Sequence, residues 1–393
     1  MLWEEMNEMF AQKMVQGTEL TTDSFHSATD LFEALKHHVS VKGVIAGVIP
    51  GRIFLSNDAR SALLTSPQGI FLGGSVDNPL FFVEVNALLK EEILPQLAAD
   101  EQLDYVLFYP TDEKWDDILD IVMKDLFPMR SGRMIFTHHL QDLFPPVDNH
   151  IVPIDSTFLK CKEWIGIEDV LDEIAENWPS IEAYEDKGFG CAAIQDTDEG
   201  PTIISWCMTD WVVEDECELG IETDEDYRGN GWARKTALGA LSLAKQRGIK
   251  KVGWQCWSNN IGSQRTALSV GFELLADFPV LFGWNLPLNN FLVNGNHYMR
   301  GDLKYGVEKD YPRSGWSYAQ ALDKGWDWDG DPALYWNAAC MFYLSGEEDR
   351  ARHYYKKAIE YGWVSIHHPH YHDYVYREPD SEQIARVLAE SVR

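Results

Sequence analysis

Apolar positions recur along this chain at two periods, and each change of period marks the end of an element. Trp3, Met6, Phe10 and Met14 lie at helical spacing, so residues 1–26 are expected to form an N-terminal helix with a polar lead-in. Over 27–150 the pattern changes to short apolar runs broken by turns. Val44–Ile49, closed by Pro50-Gly51, predicts a strand, and Arg52–Leu55 predicts its return. Ile70–Gly74, Tyr105–Tyr109 and Met134–Phe136 predict further strands. Leu80–Leu97 and Trp115–Leu126 predict helices, and Pro95 is expected to end the first one early. Pro145-Pro146 suggests a boundary near residue 150.

A second α/β stretch covers 151–285. Helix-like runs fill much of 157–177, and Gly190–Ile194 and Thr202–Cys207 form a ribbon around the polar turn Gln195–Pro201. Cys217–Thr223 continues the ribbon, Trp232–Arg247 reads as a helix and Val252–Trp257 as a strand. Composition changes again over 286–393, where Asp331–Tyr361 predicts two helices separated by Ser345-Gly346.

Between the ribbon and the helix stands Arg228-Gly229-Asn230-Gly231-Trp232-Ala233. A strand, a glycine-bearing turn and a helix in that order build an anion site, because backbone N–H groups converge and the helix N-terminus adds its positive end. Gly229 and Gly231 let a phosphate approach the backbone, and Arg228, Arg234 and Lys235 offer charge-assisted contacts. A Walker A loop needs Gly-Lys-Ser/Thr where this chain has Gly231-Trp232-Ala233, and a Rossmann turn needs a third glycine. Downstream come Asn260, Ser263, Gly271 and Phe272. An Arg-x-x-Gly-x-Ala loop after a strand, followed at this spacing by Asn-x-x-Ser and Gly-Phe, resembles the GNAT superfamily of acyl-CoA N-acyltransferases. The likeness is strongest over 188–284. Ser205–Cys207, Cys217–Thr223 and Tyr227–Gly231 resemble a bacterial branch that includes zwittermicin-resistance acetyltransferases.

The resemblance implies acetyl-CoA as the acyl donor. It would be held by Ile221, Thr223, Arg228, Gly229, Asn230, Gly231, Trp232, Ala233, Arg234, Asn260 and Ser263. It also implies a carboxylate base on the strand before the loop. Glu218 stands in that region, with Glu216 and Glu222 as competitors. Alternation puts all three on one face, with Gly220 leaving a gap between them. Desolvation raises the pKa of such a carboxylate toward the range useful for a base, and the bland alternative is a solvated acidic ribbon. The position where many GNAT enzymes carry an acidic tyrosine is Ala267. A thiol with a pKa near that of cysteine, about 8.5, can leave without a dedicated acid. Cys217 and Cys256 read as packing residues rather than nucleophiles. Trp206, Trp211, Trp254 and Trp257 read as core or as the wall of an acceptor pocket.

The order over 27–150 also resembles the GNAT core, but Gly73-Gly74-Ser75-Val76-Asp77 supplies no phosphate loop. The expected architecture is therefore α/β: tandem GNAT-like mixed-sheet domains, the first without a cofactor site, followed by a small all-α domain. Tyr335, Ala338, Ala339, Phe342, Ala351, Tyr355 and Ala358 fall where a tetratricopeptide repeat places its packing residues, which leaves a protein partner open for that domain. His367, His368, His370, His372 and Asp373 match no standard zinc spacing, so no metal is expected.

A formal net charge of −30 disfavours nucleic acid and anionic membranes and favours cationic amines. Six scattered cysteines, an acidic start and no membrane-length apolar run suit a cytoplasmic enzyme. The expectation is an N-acetyltransferase acting on a primary amine by direct attack in a ternary complex. The rival is a non-catalytic acyl-CoA-binding adaptor.

Overall fold

Two runs of elements with the same order precede a helical region in the computed structural model. It describes residues 17–99, 105–111, 113–123, 129–140, 150–284, 287–305, 307–324, 331–368 and 375–392. Residues 1–16 of the expected N-terminal helix and the boundary at Pro145-Pro146 lie outside these residues; 17–26, expected to complete that helix and its lead-in, form instead a short strand and the start of a 3₁₀ helix. The first run starts with β1 (Gly17–Glu19), a 3₁₀ helix (Thr22–Leu35), α1 (Val39–Ile45), β2 (Arg52–Ser56), β3 (Ser61–Ser66) and β4 (Gly69–Gly74). It continues with α2 (Pro79–Leu88), α3 (Leu94–Ala99), β5 (Tyr105–Pro110), α4 (Asp116–Val122) and β6 (Met129–His139). The second run has β7 (Ile151–Pro153), α5 (Ser156–Leu159), α6 (Ile167–Asn177), α7 (Ile181–Lys187), β8 (Gly190–Thr197), β9 (Gly200–Val213) and β10 (Glu216–Thr223). It closes with α8 (Trp232–Gln246), β11 (Lys251–Trp257), α9 (Ile261–Ser269) and β12 (Glu273–Trp284).

These strands form one 12-stranded sheet in the order β1-β2-β3-β4-β5-β12-β6-β11-β10-β9-β8-β7. Each run is an antiparallel meander that turns parallel at its fourth and fifth strands, β4 with β5 and β10 with β11. The last strand of each run is exchanged. β6 pairs antiparallel with β11, from Lys251↔His139 to Trp257↔Arg133, and β12 lies beside β5. The exchange ties the two runs together by backbone hydrogen bonds.

Cα packing divides the chain into two units, one within 1–88, 107–122 and 132–280, the other within 89–106, 123–131 and 281–393. In the first unit, Ala237, Ala240, Leu241 and Ala244 of α8 pack on Cys217, Leu219, Val252 and Trp254. The alanines keep the helix close to the sheet. On the opposite face, Ile167, Val170 and Ile174 of α6 cover Trp206 and Met208 of β9.

One expected strand is corrected. Val44 and Ile45 end helix α1, and Ala46–Ile49 turn rather than extend. Gly43 brings the helix against Val213 of β9, where a Cβ would be 3.0 Å from the Val213 side chain, and Gly47 turns the chain at φ +69°. Packing of Val39, Val41 and Val44 in the core outweighs their preference for strands. The expected helix Leu80–Leu97 is interrupted by a π-helical stretch, Leu89–Ile93, so Pro95 falls in the first turn of α3, where proline is tolerated.

The second unit contains α10 (Pro287–Arg300), α11 (Tyr311–Leu322), α12 (Pro332–Leu344), α13 (Glu348–Glu360) and α14 (Ser381–Val392). Trp336 stacks on Trp363 with ring centroids 4.9 Å apart. Buried Asn337 donates to the Tyr318 hydroxyl at 3.2 Å and accepts from the Tyr376 N–H at 2.8 Å. Ala338, Ala339, Phe342, Ala351, Tyr355 and Ala358 are buried, and Tyr335 stacks on Tyr361 at 4.9 Å.

Candidate active site

β10 joins its two neighbours differently. With β9 it pairs along its whole length, from Glu216↔Val213 to Thr223↔Ser205, and the register shifts between Glu218 and Leu219, leaving Asp210 as an extra residue on β9. With β11 it pairs in parallel only at Glu216↔Lys251, Cys217↔Val252 and Glu218↔Gly253. Beyond Glu218 the ladder ends, so the edge of residues 219–223 faces a wedge between the two strands. Cys217, Leu219 and Ile221 pack toward α8. Alternation then places Glu216, Glu218, Gly220 and Glu222 on the opposite face.

The three glutamates on that face have different environments. Glu216 accepts from Lys42 at 2.6 Å and from Lys251 at 3.1 Å. Burial works against its charge, but the two ammonium groups outweigh that and hold its pKa below the usual value. Glu222 is exposed. Glu218 is only 3% exposed. Gln255 Nε2 donates to its Oε2 at 3.0 Å and Gln68 Nε2 to its Oε1 at 3.3 Å. Burial pushes its pKa up to about 7, against the opposing effects of the Gln255 hydrogen bond and the charge of Arg133. Of the three glutamates, Glu218 has the properties a base needs near neutral pH.

The gap expected at Gly220 is corrected, because the Asp210 carboxylate fills it. A Cβ on Gly220 would run into Asp210 Oδ1 and come within 3.3 Å of Glu173 Oε1. Asp210 Oδ1 is buried without a partner. Burial and the nearby Glu173 and Glu218 charges raise the Asp210 pKa well above the usual range. Glu173, whose Oε1 accepts from Asn177 at 3.0 Å, is raised to about 7 by burial and by its neighbours Glu176 and Glu222.

At the far end of β10 the chain makes the glycine-bearing turn that the sequence placed there. Gly229 and Gly231 have φ of +80° and +78°, and a Cβ on either would meet nothing within 4 Å. Gly231 is the N-cap of α8. Arg228 folds back, with Nε donating to the Thr223 carbonyl at 2.9 Å and Nη1 to Glu225 at 3.0 Å. Asn230 Nδ2 donates to the carbonyls of Tyr227 and Arg228 at 3.2 and 3.4 Å. Lys235 Nζ lies 4.1 Å from the centroid of the Trp232 ring, and Arg234 is exposed. The open ground over both glycines and the helix N-terminus suit a pyrophosphate, and the strand wedge along 219–223, which includes Ile221 and Thr223, suits an extended amide-bearing arm.

Asn260 caps α9 by accepting from the Ser263 N–H at 3.0 Å, and Ser263 Oγ accepts from Trp254 Nε1 at 3.0 Å. Ala233 lies in the first turn of α8, and Ala267 is buried in the α8 core. Cys217 and Cys256 are buried, with thiol pKa values raised by burial, so neither is an activated nucleophile. Trp206, Trp211 and Trp254 are core residues, and the Arg133 guanidinium lies 5.0 Å from the Trp257 ring centroid. His367 pairs with Glu382 at 3.2 Å, while His370, His372 and Asp373 lie outside the described residues. Among the described residues no group of His, Cys, Asp and Glu could hold a metal, and no helix is long and apolar enough to cross a membrane. Gln68, Gln255, His38, Asp210 and Glu173 carry no motif or period that singles them out in the sequence.

The family model described as GNAT acetyltransferase matches residues 29–281, more than half of the chain. The chain is 24% identical over 271 residues to "Uncharacterized N-acetyltransferase YdfB" of Bacillus subtilis (strain 168), covering 67% of this chain and 97% of that protein. It is similar to the crystal structure of a GCN5-related N-acetyltransferase-like protein from Streptococcus suis 89/1591, at 20% identity and a TM-score of 0.48, covering 67% and 98% of the two chains. A GCN5-related N-acetyltransferase from Sphaerobacter thermophilus is similar at 11% identity and a TM-score of 0.45, covering 68% and 95%. With a mixed sheet, a phosphate-type turn at a helix N-terminus and a buried carboxylate beside the parting strands, the chain belongs to the GNAT acetyltransferase family and is an acyltransferase enzyme.

Proposed function

We propose that the enzyme transfers the acetyl group of acetyl-CoA to a primary amine of a cationic small molecule, by direct attack in a ternary complex. The observation that carries this reading is Glu218: a buried carboxylate, ionising near pH 7, held by two amide N–H groups where β10 and β11 part. Acetyl-CoA supplies the activated acetyl group. Residues 228–233 and the edge of β10 at Ile221 and Thr223 would hold it, and Asn260 and Ser263 would shape the end of its channel. Glu218 takes the proton that an ammonium must lose before its nitrogen can attack. Asp169, Glu222, Asp224, Glu225 and Asp226 line a pocket of about 330 Å3 beside Arg228. A lining with five carboxylates and one guanidinium supports a cationic acceptor. The likeness to the zwittermicin-resistance branch and the tetratricopeptide-like reading of the C-terminal helices fit an amine-modifying enzyme with a helical appendage.

Coenzyme A thiol release from acetyl-CoA tests the reading across polyamines, aminosugars, aminopolyols and acidic amino acids. Cationic amines are expected to outcompete acidic ones and to lose apparent affinity as salt rises, because charge attraction is screened over about 8 Å at physiological ionic strength. Equal turnover of an acidic amino acid, without salt dependence for either class, defeats the cationic acceptor. No thiol release with any amine defeats the transferase reading.

A further inference from the structure

One side chain from the first run reaches Glu218, and a second stands behind it. Gln68, in the turn between β3 and β4, brings Nε2 within 3.3 Å of Glu218 Oε1. His38, the residue before α1, is fully buried, and its Nδ1 lies 3.3 Å from Gln68 Oε1 and 3.3 Å from Gln255 Nε2. Gln255 in turn donates to Glu218 Oε2 at 3.0 Å. The two glutamines therefore clamp the carboxylate from opposite runs, and one imidazole touches both.

The protons of this cluster have one economical arrangement. Gln68 Oε1 also accepts from Ser40 Oγ, so the oxygen of that amide faces away from Glu218 and its NH₂ faces the carboxylate. His38 Nε2 is buried without a partner. An unmatched buried N–H costs more than an unmatched lone pair, which puts the imidazole proton on Nδ1, where Gln68 Oε1 accepts it; the approach of Gln255 Nε2, itself a donor, is then a contact and not a hydrogen bond. The ring packs against Phe71 at 5.0 Å and Tyr109 at 4.9 Å, which fixes its plane. Burial holds its pKa well below the usual value, so the ring stays neutral and adds no charge.

We propose that Gln68 and His38 are positioning residues for Glu218, so that the run without a phosphate loop completes the base of the run that has one. The inference rests on Glu218 acting as the base. Gln68 aims a donor at the ionised carboxylate, favouring that form and fixing the direction of the lone pairs left to take the amine proton. His38 acts through Gln68 by holding its amide orientation. The other groups around Glu218 are Asp210 on β9 with Glu173 of α6 behind it, Arg133 on β6, Cys217 on the far face of β10, and Glu216 neutralised by Lys42 and Lys251. Neither Gln68 nor His38 changes the charge of any of them.

The test titrates the Glu218 carboxyl directly, by NMR of protein carrying ¹³C at the glutamate side-chain carboxyl, with the signal assigned by its loss in Glu218→Gln. Gln68→Met keeps the length of the side chain and removes the donor. The Glu218 midpoint is expected to rise by about one pH unit, the tenfold change that losing a hydrogen bond to a charged group produces. His38→Phe is expected to move the midpoint in the same direction by less, and His38→Asn, whose amide N–H replaces Nδ1–H, to restore most of it. The kcat of Gln68→Met falls while the coenzyme A affinity holds, which also shows that the variant is folded. An unmoved midpoint in folded Gln68→Met and His38→Phe overturns the proposal. Native turnover in Glu218→Gln overturns instead the reading of Glu218 as base, so the two failures are seen separately.

Discussion

Lys42 Nζ meets Glu216 Oε1 at 2.6 Å across 174 positions of sequence, pinning α1 over the start of β10. Glu216 also takes Lys251 at 3.1 Å, so its charge is already matched and it has little capacity to accept an amine proton. Both partners are partly open to solvent, with side chains 34% and 20% exposed, which limits the energy of the pair. A double-mutant cycle of Lys42→Met and Glu216→Gln in urea unfolding is expected to give a coupling of about 0.5–1 kcal/mol, smaller at high salt. Zero coupling at low salt shows the contact to be idle. Glu216→Gln is also expected to keep the native shape of the pH–rate profile.

Glu218→Gln is expected to change that profile. A base works when ionised, so with the carboxyl pKa at about 7 the native kcat/KM climbs as pH rises toward 7 and levels off above it. The variant loses this limb and about 10²–10⁴-fold of turnover at pH 7.5, while coenzyme A affinity measured by calorimetry stays close to native. A surviving limb in the variant assigns it to another group.

Gly231→Asp is expected to abolish coenzyme A binding and leave the fold intact. A Cβ there meets nothing within 4 Å, so no core contact is broken. Asp is among the residues that tolerate the left-handed backbone at φ +78°. The loss comes from a carboxylate placed where a pyrophosphate would sit on the N-terminus of α8. Unchanged affinity by calorimetry, with an unchanged thermal midpoint, moves the phosphates elsewhere.

What the sequence made legible follows the range of the contacts involved. The turn at residues 228–233 was readable because strand, glycines and helix N-terminus are consecutive, and the structure places them as that order requires. The repeated order of elements was readable for the same reason. Val44–Ile49 was misread because part of what holds it, Gly43 against Val213, comes from 170 positions away, beside the local fold-back of Ile49 onto Gly43. Alternation put Glu216, Glu218 and Glu222 on one face, but it could not show the bulge that inserts Asp210 opposite Gly220. Nor could it show that Lys42 neutralises one glutamate while Gln68 and Gln255 hold another. Those partners come from separate elements, and no local pattern marks them.

The crowding at Gly220 leads to the last prediction. The carboxylate of Asp210 occupies the space a side chain at 220 would need, and its Oδ1 is buried without a partner. Gly220→Ala therefore forces a methyl group against a buried oxygen that cannot swing into water, at a cost of about 1–3 kcal/mol, typical of overpacking. Asp210→Ala removes that oxygen, together with the cost of burying an unpartnered carboxylate group. In the Asp210→Ala background the added methyl fills vacated space, so Gly220→Ala is expected to be near neutral there. Asp210→Asn keeps the shape and lowers the charge, so in that background the cost should persist if sterics dominate. Urea unfolding of the three backgrounds, each with and without Gly220→Ala, measures this. An equal cost in all three shows that the strain lies in the β10 backbone and not in the contact with Asp210.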